Sequence, residues 1–398
     1  MNPAGPRIGV AFPGDPTDPR SWSGTPYGVF RGLTEAGAEP VPLDVSAPGP
    51  LEPLVAGATG LAHLRRTAPG HPVERLRQAY SAGLIGPPLC SVRSHVGNRR
   101  VRRTPLDGVI QVGTGYRIDT GVPLVTYEDM TVIQGLEYPY LHWSALPRQD
   151  IDRRVSTQRR CYQAAQAICM TNSWAATSAR DDYDVPAEKV HVVGVGTHEE
   201  PRRPERSWST PRYLFIGLEW ERKNGPRVVR CFQRIREFHP DARLDLVGSH
   251  PEVEEPGVTC HGTLRRDIPE EGAHLRRLFD EATCFVMPSL FEPSAVVYAE
   301  AAAAGLPSIG TGVGGSADLI GDAGLVPDPT DDEAVFDAML ELADPARAAR
   351  LAERAAARAR LLTWRAVAER LLRALDRPVR GRELMDYMPD LGAVGAAR

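Results

Sequence analysis

The stretch FVMPSLFEPSAVVYAEAAAAGLPSIGT, from Phe285 to Thr311, spells out one complete unit of a parallel β-sheet. An apolar run and a short loop come first, and the alanine-rich part predicts a helix over Ser294 to Ala304. Pro293 suits the first helical turn, where its missing N–H costs nothing, and Gly305 suits the position after the last turn. Ser308 to Gly310 resumes as a strand. The order strand, loop, helix, strand predicts an α/β fold.

The same alternation extends in both directions along the chain. The polar, proline-bearing segment GTHEEPRRPERSWS, Gly196 to Ser209, has the composition of a linker between two such halves. We therefore predict two facing, doubly wound, Rossmann-like domains over residues 1–200 and 201–365, and a C-terminal helix and tail over 366–398 that cross back to the first domain. Ligands of such sheets bind at the carboxyl ends of the strands. Strand-like runs occur at Ile8 to Phe12, Pro40 to Leu43, Gly108 to Val112, Pro123 to Tyr127, Ala167 to Met170, Val190 to Val195, Arg212 to Gly217, Arg243 to Gly248, Val258 to His261 and Cys284 to Pro288.

Composition narrows the class of protein. The 398 residues are 42% apolar and 25% charged, which is typical of a globular chain of two or three domains. A net charge of −4 argues against a nucleic-acid partner. The basic run Arg99–Arg100 and Arg102–Arg103 is short, and we interpret it as a solvated loop.

The cysteines and the N-terminus bear on location. None of the six cysteines forms a CxxC pair, so we interpret them as reduced, buried residues of a cytoplasmic protein. The first residues lack the pattern of a signal peptide, and no apolar run reaches the roughly 20 residues that span a bilayer. These observations leave peripheral contact with a membrane open.

Two features of the second half favour an anionic ligand. Glu300 follows Glu292 by eight residues, about 12 Å along a helix axis, so the two carboxylates suit opposite ends of one extended ligand. Between them, the free N–H groups of Ser294 to Val297 favour a phosphate. The loop LEWERKNGPR places Arg222 and Lys223 after the strand RYLFIG, and Lys223 is one of only two lysines among 47 basic residues. Together these features suit a diphosphate.

At this point the residues resemble family four of the retaining glycosyltransferases, which have the GT-B fold. FEPSAVVYAEAAAAGLPSIGTGVGG resembles the E-x7-E segment of that family, and FIGLEWERKNG resembles its diphosphate-gripping loop. SWSGTPYGVFRGL resembles the glycine-bearing first loop, and SWAATSARDDYDVPAEKVHVVGVGT resembles the end of the N-terminal domain. The resemblance covers nearly the whole chain and is weakest from Gly49 to Thr104.

The resemblance implies a role for each matching residue. Lys223 would neutralise the donor diphosphate and support the leaving group, Glu300 would bind the ribose, and Glu292 would hold hydroxyls of the donor sugar. An acidic residue near the reacting carbon would come from TYEDM, where Asp129 is our choice and Glu128 the alternative. The remaining donor-binding candidates are Gly24, whose missing side chain allows close approach to the phosphates, Arg222, Ser294, and the backbone N–H groups of Ala295 and Val296.

The sequence departs from the family pattern at three places. Leu218 stands where many relatives carry arginine after the strand glycine, so Arg222 either replaces that charge or faces solvent. Ala295 stands where the pattern has glycine, which could tune the donor pocket. TYEDM lacks the histidine that many relatives carry there.

The resulting prediction is a retaining, metal-independent glycosyltransferase of class EC 2.4. Its co-substrate would be a nucleotide sugar, with no other cofactor, and its acceptor a small molecule, a glycan or a lipid-linked sugar. The DxD spellings at Asp150–Asp152 and Asp182–Asp184 are interpreted as solvated or capping acids rather than metal ligands. The alternatives are a sugar-nucleotide epimerase, a phosphorylase-like enzyme and a non-catalytic relative that binds sugar nucleotides.

Overall fold

The computed structural model describes residues 5–67, 71–138 and 141–377 and divides them into two compact units. Among these residues, the first unit holds those up to Val193 together with those from Trp364 to Arg377, and the second holds Gly194–Thr363. The polar segment predicted as a linker starts at this boundary and runs without regular structure. The predicted tail after residue 377 lies outside the described residues.

The first unit contains a six-stranded sheet in which every neighbouring pair is parallel. Its strand order is β2-β1-β3-β4-β5-β6. The two central strands β3 and β4 are buried along their whole length, as expected for a parallel sheet covered on both faces. The strands are β1 (Arg7–Phe12), β2 (Glu39–Asp44), β3 (Gly108–Val112), β4 (Leu124–Glu128), β5 (Ala167–Met170) and β6 (Val190–Val192).

Helices connect these strands, and three of them fill the long connection between β2 and β3. That connection is the part of the chain where the family resemblance is weakest. The arginine run predicted as a loop lies instead in the last turn of α4, because the helix continues to Arg103. The helices are α1 (Thr25–Glu35), α2 (Leu51–His63), α3 (Pro72–Ile85), α4 (Pro87–Arg103), α5 (Val132–Glu137), α6 (Leu141–Ser144), α7 (Arg148–Ala164) and α8 (Ser173–Asp181).

The second unit repeats this architecture with a second parallel six-stranded sheet, in the order β12-β11-β10-β7-β8-β9. Its strands are β7 (Arg212–Gly217), β8 (Arg243–Gly248), β9 (Val258–Gly262), β10 (Cys284–Val286), β11 (Ser308–Ile309) and β12 (Gly324–Leu325). Its helices are α9 (Gly225–Phe238), α10 (Pro269–Glu281), α11 (Val296–Ala303), α12 (Ser316–Ile320), α13 (Asp332–Glu341) and α14 (Pro345–Ala359). The predicted α/β fold of two parallel sheets is confirmed.

The last described helix, α15 (Trp364–Ala374), belongs to the first unit although it follows the second in sequence. It packs along α1, where Gly28 and Gly32 lie directly under Trp364: a Cβ at Gly28 would come within 2.0 Å of the indole ring. The Arg370 side chain also donates to the Val193 carbonyl, at 2.7 Å. The two glycines therefore form a slot that receives the returning helix.

Candidate active site

The loop after β7 brings both of its cations onto one carboxylate. The Lys223 ammonium contacts Oε2 of Glu292, and the Arg222 guanidinium contacts the same oxygen at 3.1 Å. Gly217 ends β7 beneath this loop, and a Cβ there would come within 2.9 Å of the Lys223 stem. Two cations from the loop after β7, Lys223 and Arg222, thus form one cluster in the second unit with Glu292.

Arg222 faces this cluster and not the solvent. It also donates to the Phe291 carbonyl at 3.1 Å and lies over the Phe291 ring, 5.2 Å from its centre. Its side chain is 20% exposed, whereas Leu218, which stands at the position of the family arginine, is 66% exposed. Arg222 therefore adds a second positive charge beside Lys223, and the alternative in which it faces solvent is wrong.

Burial changes the pKa of Lys223. Removal from water lowers the pKa of its ammonium, and the neighbouring Glu292 carboxylate opposes that change by favouring the charged form. The Lys223 side chain is 12% exposed and that of Glu292 is 7% exposed. The carboxylate therefore helps to keep a desolvated lysine positive.

The backbone of Glu292 is fixed by the glycine-rich segment after β11. Its N–H donates to the Val313 carbonyl at 2.9 Å, and its own carbonyl accepts from the Gly315 N–H at 3.0 Å. GTGVGGSADLI thus serves as a loop that clamps Glu292 and then leads into α12 at Ser316.

The helix after Glu292 begins later than the sequence suggested. α11 starts at Val296, with Ala295 as its N-cap in an extended conformation, so Pro293 and Ser294 precede the helix. The prediction that the helix starts at Ser294 is wrong, because the pairing of Glu292 with Gly314 keeps the chain extended up to this point. Ser294 is half-buried, and its hydroxyl makes no hydrogen bond within the described part of the chain.

Glu300 lies on α11 and pairs with a different cation. Its carboxylate accepts a hydrogen bond from the Arg266 guanidinium at 2.5 Å. The residue is 9% exposed, and burial raises the pKa of its carboxyl while Arg266 opposes that rise. The structure thus separates the two carboxylates of the E-x7-E segment: Glu292 pairs with the loop after β7 and Glu300 with the loop after β9.

Sequence reasoning missed Arg266. It lies in the connection between β9 and α10, in TLRRDIP, which carries no family motif that we recognised. The one available signal was its position, since it follows a strand of the same parallel sheet at the carboxyl end, where ligands of such sheets bind.

The acidic residues at the end of β4, in the first unit, divide into a buried one and a more accessible one. Glu128 is 4% exposed and accepts hydrogen bonds from Thr114 (2.8 Å), Gln158 (3.2 Å) and the Tyr162 hydroxyl. Burial raises its pKa to about 7, while the Tyr162 and Thr114 bonds limit the rise. Asp129 follows directly and is half-buried. The alternative candidate Glu128 is therefore enclosed in its own unit, whereas Asp129 is only half-buried.

Gly24 directly precedes α1 in a left-handed conformation, with φ of 80°. A residue with a Cβ adopts that conformation only with strain. Trp22 and Ser23 before it also have positive φ angles, of 43° and 53°. The glycine is thus required by the turn itself, a reason that is independent of any phosphate.

The described residues contain no helix long and apolar enough to cross a membrane. Nor do residues 5–67, 71–138 and 141–377 gather three His, Cys, Asp or Glu side chains in a way that could hold a metal ion. In the two DxD spellings, Asp150 pairs with His63 at 3.2 Å, and Asp182 accepts from the Ser178 hydroxyl.

Comparison with solved structures identifies the fold. A sucrose-phosphate synthase from Thermosynechococcus elongatus superposes with a TM-score of 0.62 at 18% identity, over 92% of this chain and 98% of the other. HepE of Anabaena, in complex with UDP and glucose, superposes with a TM-score of 0.55 at 15% identity, over 93% and 99%. The protein has the GT-B fold.

A family match within the second unit identifies the kind of domain that this unit contains. Residues 210–344, about a third of the chain, match the family described as Glycosyl transferases group 1. This range contains Lys223, Arg222, Glu292, Glu300 and Arg266. The chain therefore carries a group 1 glycosyltransferase domain, and the candidate site of the second unit lies within it.

Three characterised relatives show the range of chemistry around this domain. A sucrose-phosphate synthase of Spinacia oleracea is 28% identical over 159 residues, 33% of this chain and 15% of that protein. A GDP-mannose-dependent alpha-(1-6)-phosphatidylinositol monomannoside mannosyltransferase of Mycolicibacterium smegmatis is 32% identical over 145 residues, 32% of this chain and 37% of that protein. Mannosylfructose-phosphate synthase of Agrobacterium fabrum is 24% identical over 265 residues, 60% and 58%. The matched regions thus span less than two thirds of each relative, from 15% to 58%.

Proposed function

We propose that this protein is a retaining glycosyltransferase that moves a sugar from a nucleotide-sugar donor to a hydroxyl of an acceptor without a metal ion. The observation that carries the proposal is the convergence of Lys223 and Arg222 on Glu292, beside the Ser294 hydroxyl and the start of α11. Cations, an orphan hydroxyl and backbone N–H groups at one place suit a diphosphate attached to a sugar.

The charge that builds up in the reaction explains the need for these groups. As the bond between the anomeric carbon and the diphosphate breaks, negative charge grows on the leaving oxygen. Lys223 and Arg222 would stabilise that charge in a partly desolvated site, where such contacts are strongest. In the proposed reaction the two cations take the place that a divalent metal has in other transferases. We therefore expect full turnover in EDTA.

Retention of configuration would follow from attack on the same face of the sugar. The acceptor oxygen bonds to the anomeric carbon as the diphosphate leaves, and the acceptor proton passes to a diphosphate oxygen. Asp129 is the residue we assign near the reacting carbon, because Glu128 is occupied by its own hydrogen bonds. Asp129→Asn should lower kcat more than it changes KM for the donor, and NMR of the product should show the donor anomer preserved.

The first experiment is a screen for release of nucleoside diphosphate. The protein is incubated with UDP-, GDP- and ADP-sugars, with and without simple sugar acceptors and in the presence of EDTA. Release that depends on an acceptor supports the transferase. Conversion of the sugar nucleotide with no acceptor present would support the epimerase alternative, and donor binding without any turnover would support a non-catalytic relative.

The acceptor class that we favour is lipid-linked, since the first unit exposes two rows of apolar side chains. Leu54 and Leu61 on α2 are each 64% exposed, and Val73 and Leu76 on α3 are 67% and 49% exposed. Arg77, directly after Leu76 on α3, is also exposed. Apolar rows with basic neighbours suit peripheral contact with an anionic membrane. The six free cysteines support a reducing compartment such as the cytoplasm.

Vesicle sedimentation tests the membrane contact. The protein should sediment with vesicles of phosphatidylglycerol and phosphatidylcholine, and the double variant Leu54→Ser and Leu61→Ser should sediment less. Leu290→Ser, an exposed leucine of the second unit, is the matched control. Equal sedimentation of all three proteins would exclude this surface and favour a soluble acceptor.

A further inference from the structure

A cluster of four charged side chains in the second unit is linked to Glu300 through Arg266. Arg266 donates to Oε2 of Glu300 at 2.5 Å, and its other terminal nitrogen lies 3.6 Å from Glu199. Glu199 also pairs with Arg202 at 3.3 Å and with Arg276 at 3.5 Å. Glu199 and Arg202 belong to the segment before β7, so the cluster joins that segment to the β9–α10 loop and to α11.

Within this cluster Arg266 is the one cation that contacts the Glu300 carboxylate. Among the described residues, its guanidinium is the hydrogen-bond partner of the Glu300 side chain, and it holds a single oxygen, Oε2. The side chain of Glu300 is 11% exposed, whereas that of Arg266 is 47% exposed. A nearly buried carboxylate is thus held by an accessible arginine that leaves its second oxygen for another donor.

We propose that Arg266 is a positioning residue that keeps the Glu300 carboxylate ionised and oriented, so that its second oxygen accepts hydrogen bonds from the ribose hydroxyls of the donor. The inference rests on the proposed function, because it assigns Arg266 to the nucleotide end of that site. A hydroxyl pair binds best to an ionised carboxylate, which is acceptor-only, whereas a protonated carboxyl presents an O–H of its own.

The environment of Glu300 explains why its carboxylate needs a cationic partner such as Arg266. Burial raises the pKa of this carboxyl, and Glu199 raises it further, whereas Arg266 and, to a smaller extent, Arg202 lower it. Without Arg266, only Arg202 would oppose burial and Glu199, so the pKa of Glu300 would rise further. The carboxyl would then take up a proton at a higher pH, and nucleotide affinity would fall with it.

Calorimetric titration with UDP, GDP and ADP from pH 5.5 to pH 8.5 tests the proposal. For the nucleotide that binds, affinity of Arg266→Ala should begin to fall at a pH at least about one unit higher than in the wild type. Arg266→Lys should restore most of the original profile. Arg265→Ala is the matched control, because Arg265 lies next in the same loop but pairs with Asp267, and its profile should equal that of the wild type.

Removal of the carboxylate completes the test. In Glu300→Gln, affinity should be weaker and nearly independent of pH, and adding Arg266→Ala should change the profile no further. The proposal is overturned if the profiles of Arg266→Ala and wild type coincide, or if the shift persists in the Gln background.

A second measurement works without any nucleotide and separates this inference from the proposed function. In urea unfolding, the stability lost in Arg266→Ala should grow from pH 5 to pH 8, because an ionised, unpaired Glu300 destabilises the folded state. The sign follows from a folded pKa raised above the unfolded one, which loses stability as pH rises. The growth should vanish in the Gln background. Failure of all three nucleotides to bind the wild type would reject the proposed function alone, whereas a pH-independent loss would reject the role of Arg266.

Discussion

Three nearly buried glutamates, two in the second unit and one in the first, differ in the partners that surround them. Glu292, Glu300 and Glu128 are 6%, 9% and 4% exposed. Glu292 contacts Lys223 and Arg222, and Glu300 contacts Arg266, so both face cations. Glu128 faces hydroxyl and amide donors instead, and its pKa rises to about 7.

The contrast separates carboxylates that pair with cations from one that accepts hydrogen bonds from neutral donors. A cation beside a buried carboxylate favours its ionised form, and such a pair could share the cation with an incoming phosphate or offer an oxygen to a hydroxyl. A carboxyl that accepts its hydrogen bonds from neutral donors of its own unit has less hydrogen-bonding capacity left for a ligand. Equal burial therefore says little about function until the charge of the partner is known.

The largest expected effect comes from removing Lys223, one of the two cations that contact Glu292. Lys223→Ala should lower turnover by about 10²–10³-fold, since a group that stabilises developing charge is lost from a desolvated site. The measurement is nucleoside diphosphate release at saturating donor. Lys189→Ala is the matched control, because the other lysine of the chain lies in the first unit and donates to the Gln163 carbonyl. Equal rates for Lys223→Ala and wild type would remove this site from the mechanism.

The next effect concerns the second cation-paired carboxylate. Glu300→Ala should weaken donor binding by roughly 10–100-fold with a smaller change in kcat, because hydrogen bonds to a charged group contribute about 1.5–3 kcal/mol. Donor KM and direct nucleotide titration measure it. If kcat fell while binding stayed unchanged, Glu300 would act on the reacting carbon and not on the ribose.

Glu128, whose carboxyl accepts hydrogen bonds from neutral donors, should instead make the free energy of unfolding depend on pH. With its pKa raised to about 7, Glu128 favours the folded state most below its unfolded pKa, and that contribution is lost as pH rises through 7. The unfolding free energy should fall by about 2 kcal/mol between pH 5 and pH 8. Glu128→Gln should flatten this dependence in urea titrations. If the unfolding free energy of the wild type did not change between pH 5 and pH 8, Glu128 would be ionised. The difference between Glu128 and the two cation-paired glutamates would then disappear.

The smallest effect is expected at the turn before α1. Gly24→Ala should reduce stability by about 1–2 kcal/mol, because a left-handed residue with a Cβ is strained. Gly57→Ala is the control: it lies inside α2 with open space around it, so alanine there should be neutral or stabilising. A loss of activity in Gly24→Ala well beyond its loss of stability, checked by thermal melting, would add a direct role at the phosphates.

Much of the fold could be predicted from the chain alone. Short apolar runs alternating with amphipathic segments predicted the strands of both parallel sheets except β12, because these patterns are local and periodic. The start of α11 could not be predicted, since Pro293 fits a first helical turn equally well. A long-range pairing of Glu292 with Gly314 delays the helix to Val296. Likewise, nothing local distinguishes Arg103 in a loop from Arg103 at the end of α4.

The sequence by itself determined which side chains stand out: a lysine in a chain that otherwise uses arginine, and two glutamates eight residues apart. Composition and spacing are written in the chain, so they could be read directly. Only the tertiary structure decided the pairings, with Lys223 and Arg222 on Glu292 and Arg266 on Glu300. These contacts join residues 34 to 70 positions apart, and such distances close only when strands of one parallel sheet bring their carboxyl-end loops together.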